Sequence, residues 1–257
     1  MAIVCKNKDN IYWLLWGNPG DTIYTYSKYT NPNSDDSKLF DQTKLIDMRQ
    51  FNCKYYEGFY DNRHHITTSS YYHIIIPYLS LLLNFKFNIN DFNKVTYITK
   101  EYPKPTHLMG DNGVRFDRSY LWPKVDYKFT LDIGGEHVCE HEGFECLTNA
   151  TDKWKKKCGY TKTEYHKIFR GAHESSDIIN ETIDNNKSVC ISGDSYFIPI
   201  IPILACYFNE VVFLDKRFDI KDETSAKQYY EGKTFDYVII SCWEQNTILK
   251  YLGDNLI

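Results

Sequence analysis

No stretch of the chain reaches the ~18 apolar residues that cross a bilayer as a helix, so no membrane span is expected. The opening residues, Met1 to Lys6, lack the basic segment followed by an apolar one that marks an export signal. No charge of one sign dominates either. The 30 Lys and Arg stand against 34 Asp and Glu, a net charge of −4, whereas binding to a nucleic-acid backbone needs a concentrated positive face. Nucleic acid is therefore not an expected partner. The eight cysteines (Cys5, Cys53, Cys139, Cys146, Cys158, Cys190, Cys206, Cys242) do not follow framework spacing in a chain of 257 residues. Free thiols in a reducing compartment are expected, hence a cytoplasmic location, with an exported or periplasmic one as the alternative. There is no internal repeat and no low-complexity tract.

What remains is a folded protein able to bury a substantial core, with 42% hydrophobic and 25% charged residues. Its 22 Tyr and 15 Phe reflect either the base composition of an AT-rich genome or a surface that stacks on sugar rings.

The last third alternates short β-branched runs with helix-length segments, the spacing of a parallel sheet. Strands are expected at 188–192, 210–214 and 236–241, and helices at 197–208, 221–232 and 244–252. This pattern predicts an α/β fold with a Rossmann-like, doubly wound, mostly parallel sheet in three α/β/α layers, whose ligands gather at the carboxyl ends of the strands. Upstream, the apolar run 71–85 follows Thr67, Thr68, Ser69 and Ser70 and reads as a capped helix that Pro77 bends or starts. Residues 102–187 mix Pro, Gly, charges and aromatics and read as long loops or a lid, an insertion within a single domain spanning 1–257. The lysines at 153 and 155–157 read as a solvated face, with an anionic-ligand site as the alternative.

Gly193, Asp194 and Ser195 fall between an expected strand and an expected helix. A serine at such a turn presents its hydroxyl above the sheet, and the N–H groups at the following helix start can hold an oxyanion. The alternative is an ordinary capped turn. A base for this serine is available at His64 and His65, with Asp61 close by to fix the imidazole tautomer. The alternative is a pair of surface histidines.

These residues resemble a family. The run 60–67, then Gly110, Asp111, Asn112 and Gly113, then the Gly193 to Phe197 turn, then 211–217, occur in the order seen in the alginate O-acetyltransferase-like, or DHHW-type, branch of the SGNH hydrolase superfamily. The resemblance implies a Ser-His-Asp triad that moves an acetyl group to a polysaccharide hydroxyl, with motif order permuted relative to ordinary SGNH esterases. Carried over by position, Ser195 is the nucleophile and His65, or His64, the base. Asp61 is the orienting acid, and Arg217 lines the substrate site. Asp111 and Asn112 become oxyanion or substrate contacts. The implied partners are a carbohydrate acceptor and a membrane acyl donor, and no cofactor beyond an acyl-group carrier is expected. Arg63 stands where the family pattern has Asp, and Ile66 where it has Trp. Three outcomes stay open on this reading: an O-acetyltransferase, an acetyl-glycan esterase, or a catalytically silent glycan-binding or assembly protein.

Other residues have competing explanations. His137, Cys139, His141 and Cys146 could hold zinc, yet their spacing fits no standard site, and a chance cluster in a loop is preferred, so no metal is expected. Gly134 and Gly135 are too short a signal for phosphate binding. His73 reads as an interior histidine of the apolar helix. Tyr12, Trp13 and Trp16 read as packing for an N-terminal strand or hairpin. Trp243, just past an expected strand, is placed for sugar stacking or core packing.

Overall fold

The computed structural model describes residues 3–15, 44–47, 71–98, 117–125, 127–133, 136–142, 175–193, 196–197, 200–215 and 223–242. Its strands are β1 (Val4–Cys5), β2 (Ile11–Leu15), β3 (Lys44–Asp47), β4 (Phe92–Ile98), β5 (Asp117–Pro123), β6 (Lys128–Ile133), β7 (Glu136–Glu142), β8 (Ser176–Asn180), β9 (Ser188–Gly193), β10 (Glu210–Asp215), β11 (Thr234–Phe235) and β12 (Tyr237–Cys242). Its helices are α1 (Ile76–Leu82), α2 (Ile201–Ala205) and α3 (Glu223–Tyr230).

Eight of these strands form one sheet in the order β3-β2-β12-β9-β10-β8-β6-β7. The first five run parallel to one another, and β8, β6 and β7 continue the sheet antiparallel. The two-residue period of the strands sorts the core into two faces. On one, Tyr12, Leu14, Val189, Ile191, Val211, Phe213 and Ile239 pack with residues of α1 and α2. On the other, Trp13, Cys190, Val212, Leu214, Val238 and Ile240 pack with Tyr229 of α3 and with Phe235. Burial on both faces explains why β9, β10 and β12 read as unbroken apolar runs. Each large side chain so buried contributes about 1.5–3 kcal/mol.

The sequence places these three strands within a residue or two of where they lie, and the polar helix is α3. The apolar helix differs. Among the described residues of 197–208, regular α geometry is confined to Ile201–Ala205, all buried, with turns at 200 and 206–207. Pro202 accounts for the helix starting at Ile201, because a residue with no N–H to donate suits only a first turn. The 71–85 helix also splits. A π-helical turn, Tyr71–Ile75, leads into α1, and Pro77 falls in the first turn of α1. The helix stops early because Asn84 adopts a left-handed φ of 50°, a helix-ending conformation. His73 is exposed on the π turn, which corrects the interior assignment. Residues 67–70 and 244–252 lie outside the described residues.

The stretch 102–187, expected as loops, carries four strands. The alternation of Lys128, Phe129, Thr130, Leu131 and Asp132 is that of a sheet with one wet face. Phe129 and Leu131 are buried in the core. The sheet, expected to be mostly parallel, is thus mixed, its parallel part continued by the antiparallel strands β8, β6 and β7. The separate β4–β5 ribbon is antiparallel, and the Leu121 N–H donates to the Tyr72 hydroxyl at 2.9 Å. Tyr12 and Trp13 lie in β2, an interior parallel strand, rather than in a hairpin. Among the described residues Cys5, Cys190 and Cys206 are free thiols, and burial pushes the Cys190 and Cys206 thiols up.

The parallel and antiparallel parts are joined by one charged cluster. Lys233 Nζ donates to Asp177 Oδ2 at 2.8 Å on β8 and to Glu210 Oε1 at 2.6 Å on β10. Burial pushes the Asp177 carboxyl up to about 6. Lys233 opposes that rise, and the charges of Glu210 and Asp132 add to it. A carboxyl raised above its unfolded value binds more protons when folded, so stability falls as pH rises from about 4 to about 6. We expect Asp177→Asn to remove that slope, worth about 1–3 kcal/mol across the interval. Urea denaturation of both proteins at pH 4, 5, 6 and 7 reads it, and parallel pH profiles would contradict it.

Candidate active site

Three neighbouring parallel strands end alike, each closing an apolar run with small or polar residues. β9 ends at Ser192 and Gly193, β10 at Asp215, and β12 at Ser241 and Cys242. Gly193 pairs with Asp215, and Ile240 with Ser192, so Ser241, Gly193 and Asp215 form a row across the sheet. Strand alternation puts this row on the α1–α2 face. A Cβ added to Gly193 would lie 3.3 Å from the Ser241 Cβ and 3.6 Å from the rings of Phe197 and Phe213. That contact is tighter than ordinary packing, so a side chain there would make Ser241 give by a few tenths of an ångström.

Asp215 and Ser241 are each 0% exposed. Taking a carboxyl out of water unpaired costs several kcal/mol, comparable to what two or three buried apolar side chains contribute, so Asp215 must be held by donors. It takes part in a further polar interaction. Its own N–H donates to the Ser175 hydroxyl at 3.3 Å. Ser175 and Ser176 are buried at the adjacent start of β8, and the Ser176 hydroxyl has no partner among the described residues. A polar floor thus closes the carboxyl end of an otherwise apolar sheet face, where ligands of parallel sheets bind.

One hydrogen bond ties the floor to the upstream part of the chain. The Tyr71 hydroxyl donates to the Tyr196 carbonyl at 2.7 Å, in a buried setting. Tyr196 directly follows Ser195 in sequence, and Tyr71 lies six residues after His65. Six residues span at most about 20 Å. The bond therefore brings within one chain's reach the two segments from which a nucleophile and a base were expected.

The expected site residues themselves, Ser195, His64, His65, Asp61, Asp111, Asn112, Arg217 and Trp243, lie outside the described residues, as do Cys146 and the lysine run. His137, Cys139 and His141 are in β7, a strand where a loop was preferred. A register shift separates them. His137 pairs with Asp132, while Cys139 and His141 pair with Leu131 and Phe129. That bulge interrupts the simple alternation expected of His137 and Cys139. Among the described residues no group of three potential metal ligands converges.

Sequence reasoning passed over Asp215, Ser241 and Ser175. The signal was present in the first two. An acid or hydroxyl placed directly after a run such as Val211 to Leu214 marks the point where a buried strand meets its ligand end.

No family model matches the chain, and no curated protein does. The fold does have solved relatives. Bacillus cereus PatB1 carrying a sulfonyl adduct superposes with a TM-score of 0.58 at 15% identity, over 93% of this chain and 83% of that one. A second PatB1 structure gives 0.57 at 15% identity, over 93% and 84%. A DHHW family protein from Eubacterium siraeum gives 0.56 at 14% identity, over 98% and 84%. The likeness is one of fold.

Two measurements test the geometry. Gly193→Ala is expected to lower stability by about 1–3 kcal/mol, from overpacking. The cost should shrink when Ser241→Gly is present, since the nearest obstructing atom is then gone, and a double-mutant cycle by urea denaturation reads the coupling. Tyr71→Phe should cost about 1 kcal/mol through the lost bond to Tyr196. An unchanged denaturation midpoint would show that bond to be dispensable.

Proposed function

We propose that this protein catalyses serine-dependent transfer of an acyl group, an acetyl group in the simplest case, to a carbohydrate hydroxyl. The observation that carries the reading is the Tyr71–Tyr196 hydrogen bond, which joins the serine turn to the segment following His64 and His65. The strand order supports it. Counted from β9, the parallel strands follow the spatial order 2-1-3-4-5, since β10, β9, β12, β2 and β3 are neighbours in turn. That order is the one a doubly wound sheet with its serine strand first, entered part-way along the sequence, would have, and it is consistent with a permuted SGNH arrangement. The relative captured with a sulfonyl adduct adds chemical support, because sulfonylation reports a nucleophile in that protein.

In the proposed reaction the Ser195 hydroxyl attacks the carbonyl carbon of the donor while His65, or His64, takes its proton. The tetrahedral oxyanion is held by the Ser195 N–H, with the Asn112 side-chain amide as a further donor and Asp111 as a substrate contact. Its collapse breaks the bond to the leaving group, which receives the proton from the imidazolium, and Ser195 is left acylated. A sugar hydroxyl then attacks the acyl carbon, gives its proton to the imidazole, and displaces Ser195, which recovers that proton. Water in place of the sugar gives an esterase. Asp61 orients the imidazole, Arg217 lines the acceptor site, and Trp243 offers a stacking surface. Arg63 favours a second reading, a silent glycan-binding protein, because a cation beside the base destabilises the imidazolium.

The readings separate on one reagent. The active protein should form a covalent adduct with a serine-directed fluorophosphonate and hydrolyse p-nitrophenyl acetate. Ser195→Ala should abolish both, and His65→Ala should lower the hydrolysis rate at least about a hundredfold. Intact mass and p-nitrophenol release are the readouts, with folding checked by circular dichroism. A folded wild type that neither labels nor turns over would support the silent reading.

A further inference from the structure

We infer that the seam between β8 and β10 is a pH-sensitive joint, in which ionisation of Asp177 lets the antiparallel strands β8, β6 and β7 part from a parallel sheet that stays folded. Asp177 stands opposite Val212, so its side chain lies on the α3 face, and Lys233, in the turn after α3, donates both to it and to Glu210 of β10. A single lysine thus clasps the two strands. Its charge does not balance what it faces, because Asp132 of β6 pairs directly opposite Asp177 and sets three carboxyl groups against one ammonium group. Like charges opposite one another on antiparallel strands repel. Asp177 Oδ2 has the lysine, whereas Asp177 Oδ1 is buried with no hydrogen-bond partner among the described residues. A buried anionic oxygen without a donor is costly, and a proton removes that cost.

The remaining neighbours do not take over the titration. Burial keeps the Cys190 thiol of β9 protonated, and on β7 His137 stands in register beside Asp132, one strand further out. The Asp177 carboxyl, raised by burial to about 6, holds its proton in acid and loses it as pH passes that value. Once the strands part and water reaches it, the same group ionises near its ordinary value of about 4, so raising the pH favours the parted state. Besides the strand pairing, the seam is tied by Asn180 at one end of β8 and by Ser175 at the other. Parting there separates Ser175 from the Asp215 N–H, so a proton taken up on the α3 face is felt at the carboxyl end of the sheet.

Native-state hydrogen exchange on the full chain at pH 4 and pH 7 tests the joint, with each amide's rate expressed as a protection factor so that the intrinsic pH dependence of exchange drops out. At pH 7 the β8 amides should be at least about tenfold less protected than those of β9 and β12, since they open without the rest of the sheet. Their protection should be about tenfold higher at pH 4, the effect of a carboxyl raised by one to two units. Asp177→Asn keeps the shape and cannot ionise, so its β8 protection should stay within about twofold between the two pH values. Equal protection of β8, β9 and β12 at pH 7 means that the sheet opens only as a whole, and it overturns the joint. So does wild-type β8 protection that ignores pH, or a pH effect that persists in Asp177→Asn. Should Asp177→Asn fail to fold, Asp132→Asn decides. Removing the opposing charge lets Asp177 ionise at lower pH, so the change in β8 protection should shrink, and a change of unaltered size overturns the joint.

Discussion

The burial of β9 on both faces and along both edges constrains everything around it. Val189, Cys190 and Ile191 are each 0% exposed, with β10 and β12 hydrogen-bonded on either side. No polar side chain can be accommodated along that stretch without a partner, so chemistry is pushed to the strand ends. At the carboxyl end the neighbouring strands close with Asp215 and Ser241, and Gly193 lets the backbone come close. At the other end Ser188 is held by Asp236, whose carboxylate accepts from both the Ser188 N–H and its hydroxyl. The first end gathers buried polar residues, and the second is a closed structural network.

The antiparallel extension answers a different need. β10 would be the edge of the parallel part, and an unpaired edge invites pairing with other chains. β8 covers it, and Asn180 locks the join. The Asn180 side-chain amide donates to the Ala205 carbonyl, while its main chain exchanges bonds with Asn209. Lys233 adds an ionic link across the same seam. The extension holds the start of β8 against the end of β10, and that contact is where Ser175 meets Asp215.

What the sequence disclosed follows from how each element is buried. Strands buried on both faces show as apolar runs, so β9, β10 and β12 could be read directly. Strands with one wet face, such as β6, mix lysine, threonine and aspartate with phenylalanine and leucine, and β7 is richer still in charge, so both passed for loop. The two proline-containing helices were legible as apolar segments but not in extent, because Pro77 and Pro202 act on geometry that composition does not record. The end of β9 before an apolar segment was legible, while Asp194 and Ser195 lie outside the described residues. Asp215 was not singled out, because an acid after a strand is common and only its complete burial, a property of the folded state, sets it apart.

The parallel pairing of β2 with β12 joins segments far apart in the sequence, with Trp13 beside Ile240. In a chain emerging from the ribosome, β2 and β3 wait without their central neighbour until the long segment between β3 and β12 has been made. The sheet therefore closes late, and through contacts of high sequence separation, which makes folding slow. Until then Trp13 and Leu14 lie on unpaired apolar strand, the kind of surface that chaperones protect and that aggregates when they do not.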